Sequence, residues 1–368
     1  MQSLHLLLMA LCLVAGPVRA EGPNTDVERL GSILQTERDK SGARAVLFGM
    51  WVGDREILTT ALGDSMTTVP ASTDMHYRIG GITETFQATL TMMLAEQGRL
   101  SLDDKLSRWY PDLPGADRVT VRMLLANRAG YPDYVRVKDF LDRILRDPFQ
   151  QLTPDDLIGY AVRDGKLAYP AGTSQAYSHT EYVLLGQVIE KATGQSMKDL
   201  YQQNILSPLG LADTRFPTDQ NIQAPVLHSF SQDRGVYEDA TYFNPSWAGA
   251  TGALTSNLHD LGRWGPIFGT GKLLQPESFR EMTAPTSVGM GRNRPDLYFA
   301  YGFVVSNGWF VQNPSMNGYN GAFAYHPTHG VTLVVECTMK PDPTVDPAGI
   351  HIVREVIRYV TPDTPLTF

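Results

Sequence analysis

The chain has 368 residues, 42% hydrophobic and 19% charged, with 24 Pro and 33 Gly. That is ordinary globular composition, away from the disordered, collagen-like and coiled-coil extremes, and the length implies two domains or one large composite. Lys and Arg number 31 against 39 Asp and Glu, for a net charge of −8 with no basic tract. Nucleic-acid binding is therefore not expected, because phosphate affinity comes mainly from clustered Lys and Arg.

Residues 1–20 read as a secretory signal peptide. Leu4 to Ala15 is almost entirely apolar, and Val18-Arg19-Ala20 has a small-residue cleavage pattern, although the n-region offers only the initiating amine and His5. The run is too short to span a bilayer, which takes about 20 apolar residues. The mature chain, 21–368, is expected to be exported, periplasmic or secreted, with no stable membrane insertion after cleavage. Cys12 leaves with the signal, so Cys337 stands alone, within the strand-like run Val331-Thr-Leu-Val-Val-Glu-Cys337.

Val27 to Arg38 has helical apolar spacing. Ala43 to Val52 and Glu56 to Leu62 read as strands joined by Gly53-Asp54. Thr83 to Gln97 is a predicted helix: Phe86, Leu90, Met93 and Leu94 recur at helical spacing, and Gly98 ends it. Ser101 to Asp104 caps a second short helix, and Thr120 to Ala126 begins a third. Gly130 to Pro132 and Tyr169 to Gly172 are punctuation. Glu181 to Thr193 is another helix, closed by Gly194, and Met197 to Ile205 continues the helical section. Pro217 to Pro245 shows no clear period. Tyr301 to Ser306, Gly308 to Gln312, Gly321 to His326 and Val331 to Thr338 read as strands, the last two joined by Pro327 to Gly330. Pro347 to Val360 closes the chain as a helix. This order predicts an α/β (α+β) fold in a single domain. One antiparallel sheet, from about residues 43–62 and 300–338, is flanked by helices and carries an all-helical lobe over about 100–290.

Particular segments carry a family resemblance. Tyr77-Arg-Ile-Gly-Gly-Ile-Thr-Glu-Thr-Phe-Gln-Ala88 with Leu100-Ser-Leu-Asp-Asp104, Val119 to Tyr134, Tyr169 to Thr173, Tyr177 to Gly186, Ser207 to Thr214 and Gly252 to Ser256 occur in order. Over roughly residues 27 to 360 the chain resembles the penicillin-recognising serine hydrolases of the class C β-lactamase and D,D-carboxypeptidase type. The resemblance implies a β-lactamase/penicillin-binding-protein-like fold with a cleft between sheet and lobe.

In that family the first motif, Ser-x-x-Lys, supplies the acylated serine and, one helical turn on, the lysine that assists its deprotonation. Here those positions are Gly81 and Glu84. Glycine cannot attack, and the glutamate reverses the helper's charge. The second motif, Tyr-x-Asn, becomes Tyr177-Ser178-His179. The third, Lys-Thr-Gly or His-x-Gly, falls on Gln312-Asn313-Pro314 when Met316 to Tyr319 and Ala324 to Pro327 are set on the family's following segment. A competing register places Tyr319-Asn320-Gly321 there. Thr83 and Ser178 are the nearest hydroxyls, and both read as ordinary capping or surface groups.

The resemblance brings the positions of Glu84 and His179 together. With Tyr177 in reach, Glu84, Tyr177 and His179 form a candidate acid–base cluster without a nucleophile. The plainer alternative is that Glu84 and His179 only satisfy each other. Gly81, Tyr134, Tyr177, Gln312 and Asn313 are the candidate ligand-binding residues, and the family fold also puts Asp133 and Tyr242 near the cleft. His326 and His329 lack a third metal ligand, and Gly249 to Ala253 lacks the Gly-Lys-Ser/Thr of a phosphate loop. No metal or cofactor is expected. Three functions remain open. The first is an exported pseudoenzyme that binds a small-molecule or peptide-like, cell-wall-derived ligand, or a protein partner. The second is an enzyme with rewired acid–base chemistry, a hydrolase, isomerase or lyase. The third is a residual serine esterase, β-lactamase or D,D-peptidase.

Overall fold

The computed structural model describes residues 22–341 and 348–368. The expected signal peptide therefore lies outside the described residues, as does Pro347. A nine-stranded antiparallel sheet forms the centre. Two long strands come from the start of the chain, β1 (Ala43–Val52) and β2 (Arg55–Met66). Five come from its end: β3 (Leu297–Phe299), β4 (Val304–Ser306), β5 (Trp309–Gln312), β6 (Tyr319–His326) and β7 (Val331–Met339). They lie in the order β2-β1-β7-β6-β5-β4-β3, with Val69–Pro70 on the β2 edge and Ser315–Met316 paired to β6. The two chain ends meet in register where Val46 stands opposite both Leu62 and Cys337.

The longer helices are α1 (Val27–Ser41), α2 (Thr83–Glu96), α3 (Lys138–Arg146), α4 (Pro154–Val162), α5 (His179–Thr193), α6 (Leu258–Gly269), α7 (Pro276–Thr283) and α8 (Ala348–Val360). Strand alternation divides the core into two layers. Val46, Phe48, Leu333, Val335 and Cys337 pack with Leu30 and Leu34 of α1 and with Ile352, Val353 and Val356 of α8. Leu47, Phe323 and Val334 face the other way, onto Phe86 of α2, Trp264 of α6 and the helical lobe. Burial on both faces explains why these strands read as nearly continuous apolar runs.

Helix α6 can lie against the sheet because it presents only hydrogen where the strands come close. A Cβ on Gly262 would sit 2.6 Å from the Trp51 ring, and Gly265 and Gly269 abut Thr332 and Tyr325 in the same way. Trp264, on the opposite side of α6, stacks on Phe86 at 4.0 Å between ring centroids and donates its indole N–H to Thr85 Oγ1 at 2.9 Å. Sheet, α6 and α2 are thereby locked in sequence.

Several expected boundaries move. Helix α5 begins at His179, two residues before the expected Glu181. The segment after Ser101 gives only a 3-10 turn, Leu106–Arg108. Asp104 accepts from Ser101 N, and Pro111 follows too closely for a helix to extend. Met197–Tyr201 runs through a π-turn, Gln202–Leu206, into Ser207–Leu209. Within Pro217 to Pro245 the regular structure among the described residues is two-residue strands, Phe230–Ser231 and Glu238–Asp239, and the start of a 3-10 turn at Pro245. Helices α3, α4, α6 and α7 fall within the expected helical lobe, where no individual helix was assigned, and strand β3 arises where no element was expected.

Candidate functional site

The short strand Tyr77–Arg78 pairs with Thr255–Ser256 and delivers the chain to a 3-10 turn, Gly80–Ile82, that runs directly into α2. Gly80 has φ +48°, and a Cβ there would lie 2.5 Å from Pro314 Cβ, so glycine is what lets Pro314 close over the turn. Gly81 is partly exposed beside it. A Cβ built on Gly81 would meet Gln312 Oε1 at 3.0 Å. The space next to the first motif position is thus taken by a side-chain amide.

That amide is fixed. Gln312 Nε2 donates to Gly302 O at 2.6 Å and to Glu84 Oε2 at 3.3 Å. Gly302 adopts φ +84°, where a Cβ would approach Glu84 O at 2.6 Å, so only glycine allows this loop to lie against the first turn of α2. Gln312-Asn313-Pro314 therefore borders Gly81 and Glu84, with Asn313 exposed. The competing register fails on geometry. Asn320 faces α8, where its Oδ1 accepts from Gly349 N, and the Tyr319 hydroxyl donates to Leu227 O.

Glu84 is fully buried. The Tyr177 hydroxyl donates to its Oε1, and Gln312 supplies the second bond. Burial raises its pKa from the ordinary carboxyl value to about 8, the two hydrogen bonds offset part of that rise, and the Asp133 charge adds to it. Burial and the Glu84 carboxyl also push the Tyr177 hydroxyl up, so Tyr177 is a neutral donor.

The expected contact between Glu84 and His179 does not form. His179 Nδ1 lies 3.2 Å from both oxygens of Asp133, and its backbone N–H donates to Asp133 Oδ1 at 3.3 Å. The reason is the early start of α5. As the first residue of that helix, His179 turns both its free amide and its ring toward the carboxylate at the helix N-terminus. The ring still touches Tyr177 edge-on, with centroids 4.9 Å apart. Two pairs therefore stand side by side, Glu84–Tyr177 and Asp133–His179. The Asp133 carboxylate favours the tautomer with hydrogen on Nδ1, leaving the Nε2 lone pair available. His179 Nε2 has no hydrogen bond among the described residues, and the side chain is 24% exposed.

Tyr134 also departs from expectation. It is fully buried, and its hydroxyl donates to Trp247 O at 2.7 Å. It is a wall behind His179, not a surface that meets a ligand. Thr83 and Ser178 are buried as well, so they are not surface groups, and neither hydroxyl makes a capping hydrogen bond among the described residues. Two supporting residues went unread. Asn127, at φ +51°, accepts Ser178 N on its Oδ1. Glu181, inside α5, accepts the backbone N–H groups of Ala129, Gly130 and Tyr131 and so pins the loop that carries Asp133. Only the strict run of loop amides facing a helix carboxylate reveals Glu181's role, and that needs coordinates. The His326 and His329 rings lie 4.6 Å apart and tilted to one another, and no cluster of three or more His, Cys, Asp or Glu fit for a metal occurs among the described residues.

A carboxyl whose pKa rises on folding contributes stability that is fully present below its unfolded value and is lost as pH climbs through the folded value, about 8. Glu181 and Glu336 shift in the same direction, so the wild type alone does not isolate Glu84. Glu84→Gln is neutral and nearly isosteric. Urea denaturation at about pH 5 and about pH 9 is expected to show a smaller loss of stability for the variant than for the wild type. Equal losses contradict a raised Glu84.

A family model described as Beta-lactamase matches residues 30–356. Penicillin-binding protein 4* of Bacillus subtilis is 32% identical over 147 residues, 40% of this chain but only 32% of that protein. Penicillin-binding protein 4 of Amycolatopsis lactamdurans is 25% identical over 292 residues, 75% of this chain and 71% of that one. Among solved structures, a D-stereospecific amidohydrolase from Streptomyces sp. superposes with a TM-score of 0.80 at 25% identity, covering 92% of this chain and 99% of that one. A family match across most of the chain and an antiparallel sheet built from both chain ends agree: this chain belongs to the beta-lactamase family.

Proposed function

We propose that the protein is a non-acylating member of this family, whose cleft holds a peptide-like or cell-wall-derived ligand, or a protein partner, and forms no serine acyl-enzyme. One observation carries the reading: at the position the family gives its nucleophile stands Gly81, with the Gln312 amide 3.0 Å from where a Cβ would be. The position of the assisting lysine holds a buried carboxyl with its pKa raised to about 8. Loss of such a nucleophile costs several orders of magnitude in rate. The penicillin-binding proteins and the D-stereospecific amidohydrolase among the relatives support a ligand with a peptide-like backbone. The apolar run Leu4 to Ala15 and the Ala20 cleavage pattern support export as part of this reading. Intact-mass spectrometry tests both parts. Protein recovered from its native host is expected to begin at Glu21, and its mass is expected to stay unchanged after incubation with a penicillin. A penicilloyl adduct on a cleft hydroxyl would overturn the non-acylating reading.

A second reading is favoured by the Asp133–His179 pair. With Asp133 holding Nδ1–H, His179 Nε2 is placed to take a proton from water or from a bound substrate, while the Tyr177 hydroxyl proton stays directed at Glu84 Oε1. On this reading the acid–base group is His179 oriented by Asp133, and Glu84 acts only by holding Tyr177. For any substrate that is found, His179→Ala is expected to lower kcat about 100-fold or more. Turnover that survives the substitution removes this reading.

A further inference from the structure

Seven large hydrophobic side chains remain exposed among the described residues, and four of them belong to two neighbouring elements. Leu141 and Leu145 stand one helical turn apart on α3, at 38% and 36% exposure, and Phe149 follows the helix at 55%. Val236, at 58%, lies in the hairpin turn between Phe230–Ser231 and Glu238–Asp239. A single exposed apolar residue is ordinary, whereas a group of them marks a surface that another molecule covers.

A cavity of about 440 Å³ joins α3 to this hairpin. Phe140 and Ile144 of α3, Leu152, Phe243, Trp247 and Met316 give it an apolar wall. Leu141 and Leu145 on one element and Asp233 and Arg234 on the other are the exposed residues of its lining. Tyr134 separates it from the cleft, with its ring centroid 5.0 Å from that of Phe140 and 5.9 Å from that of His179. Phe149 projects beside the hollow, where its ring meets Phe243 edge-on with centroids 5.5 Å apart. The backbone around it is fixed. Phe149 N donates to Asp147 Oδ1 at 3.1 Å, Asn244 N to Pro148 O at 2.8 Å and Asn244 Nδ2 to Phe149 O at 3.3 Å. A held projection and a hollow are thus neighbours on one surface.

Both signs of charge accompany them. Arg146 ends α3 and Asp147 follows it, while Asp233 and Arg234 sit in the hairpin turn. Arg234 meets Glu238 at 3.5 Å, and Arg146, Asp147 and Asp233 make no ion pair among the described residues. A two-fold interface uses the same patch on both molecules, so that patch must carry each feature together with its complement. This face does so in shape and in charge.

We propose that two copies of the chain associate through this face about a two-fold axis. Phe149 of each copy enters the hollow of the other, and Arg146 pairs with the partner's Asp233. An anionic lipid surface calls for a basic rim, and this rim carries as many acidic residues as basic ones. A short peptide would fill the hollow and leave Phe149 and Val236 in water. The assignment goes beyond the non-acylating reading and does not depend on it.

Sedimentation equilibrium of the protein recovered from its native host tests the proposal. A monomer–dimer equilibrium with a Kd of about 10 µM is expected, as for an interface at the small end of the specific range. Phe149→Glu and Leu145→Glu alter exposed positions of the single molecule, and each is expected to weaken association at least ~30-fold by placing a charge in the contact. Arg146→Asp and Asp233→Arg each set like charges against one another across the axis and are expected to weaken it about fivefold, whereas the double variant is expected to return to within about twofold of the wild type. A wild type that stays monomeric at about 200 µM overturns the assignment. So does association undiminished in both glutamate variants, or a double variant no better than the single ones. A monomer that instead co-sediments with phosphatidylglycerol vesicles overturns it in favour of a lipid surface. None of these outcomes bears on whether a penicillin labels the chain.

Discussion

The carboxyl of Glu84 lies at zero exposure in the first turn of α2, and the arrangement of the cleft follows from how it is held there. A helix N-terminus favours an anion, by about 0.3–1 kcal/mol at exposed sites. Burial works against the charge, and here burial is the larger effect. No Lys or Arg forms an ion pair with Glu84 among the described residues, and its partners are a phenol and an amide. Tyr177 is turned inward to serve it. Gln312 is drawn across Gly81 to reach it, and Gly302 must be glycine for the backbone to pass its carbonyl oxygen. A cationic helper would have organised the same three positions around a nucleophile; a neutral acid organises them around itself.

The second pair, Asp133 and His179, is built independently and by different means. Its geometry depends on backbone amides. Glu181 holds the loop from Ala129 to Tyr131, Asn127 holds Ser178, and the start of α5 turns His179 toward Asp133. These polar contacts together give the imidazole one orientation. The cleft therefore holds two polar pairs side by side, Glu84–Tyr177 and Asp133–His179. Behind Tyr134 lies an apolar cavity lined by Phe140 and Ile144 of α3, one ring away from His179.

Much of the sheet was legible because β1, β6 and β7 are buried on both faces and read as apolar, β-branched runs with turns between them. Helix α2 was legible from Phe86, Leu90 and Leu94. Helix α4 carried a readable start that was passed over, the capping box of Thr153 and Asp156 with Pro154 at the first helical position. Helix α6 was hidden by Gly262, Gly265, Pro266 and Gly269, which argue for a loop locally, whereas the three glycines are placed for close contact with Trp51, Thr332 and Tyr325. Tertiary packing overrode propensity there. In the site, Gly81, Glu84, Tyr177 and Gln312, the positions that motif spacing picks out, lie next to one another. It did not show that His179 belongs to Asp133, 46 residues away, because that choice rests on α5 beginning two residues earlier than its apolar pattern.

The claim on which the rest stands is that a neutral acid occupies the floor of this cleft at physiological pH. Infrared difference spectroscopy between the wild type and Glu84→Gln, followed across a pH titration, reads that proton directly. The account predicts a protonated-carboxyl stretch, absent from the variant, that disappears with a midpoint near 8. A carboxylate signal already complete in the ordinary range for glutamate, near 4.5, would contradict it.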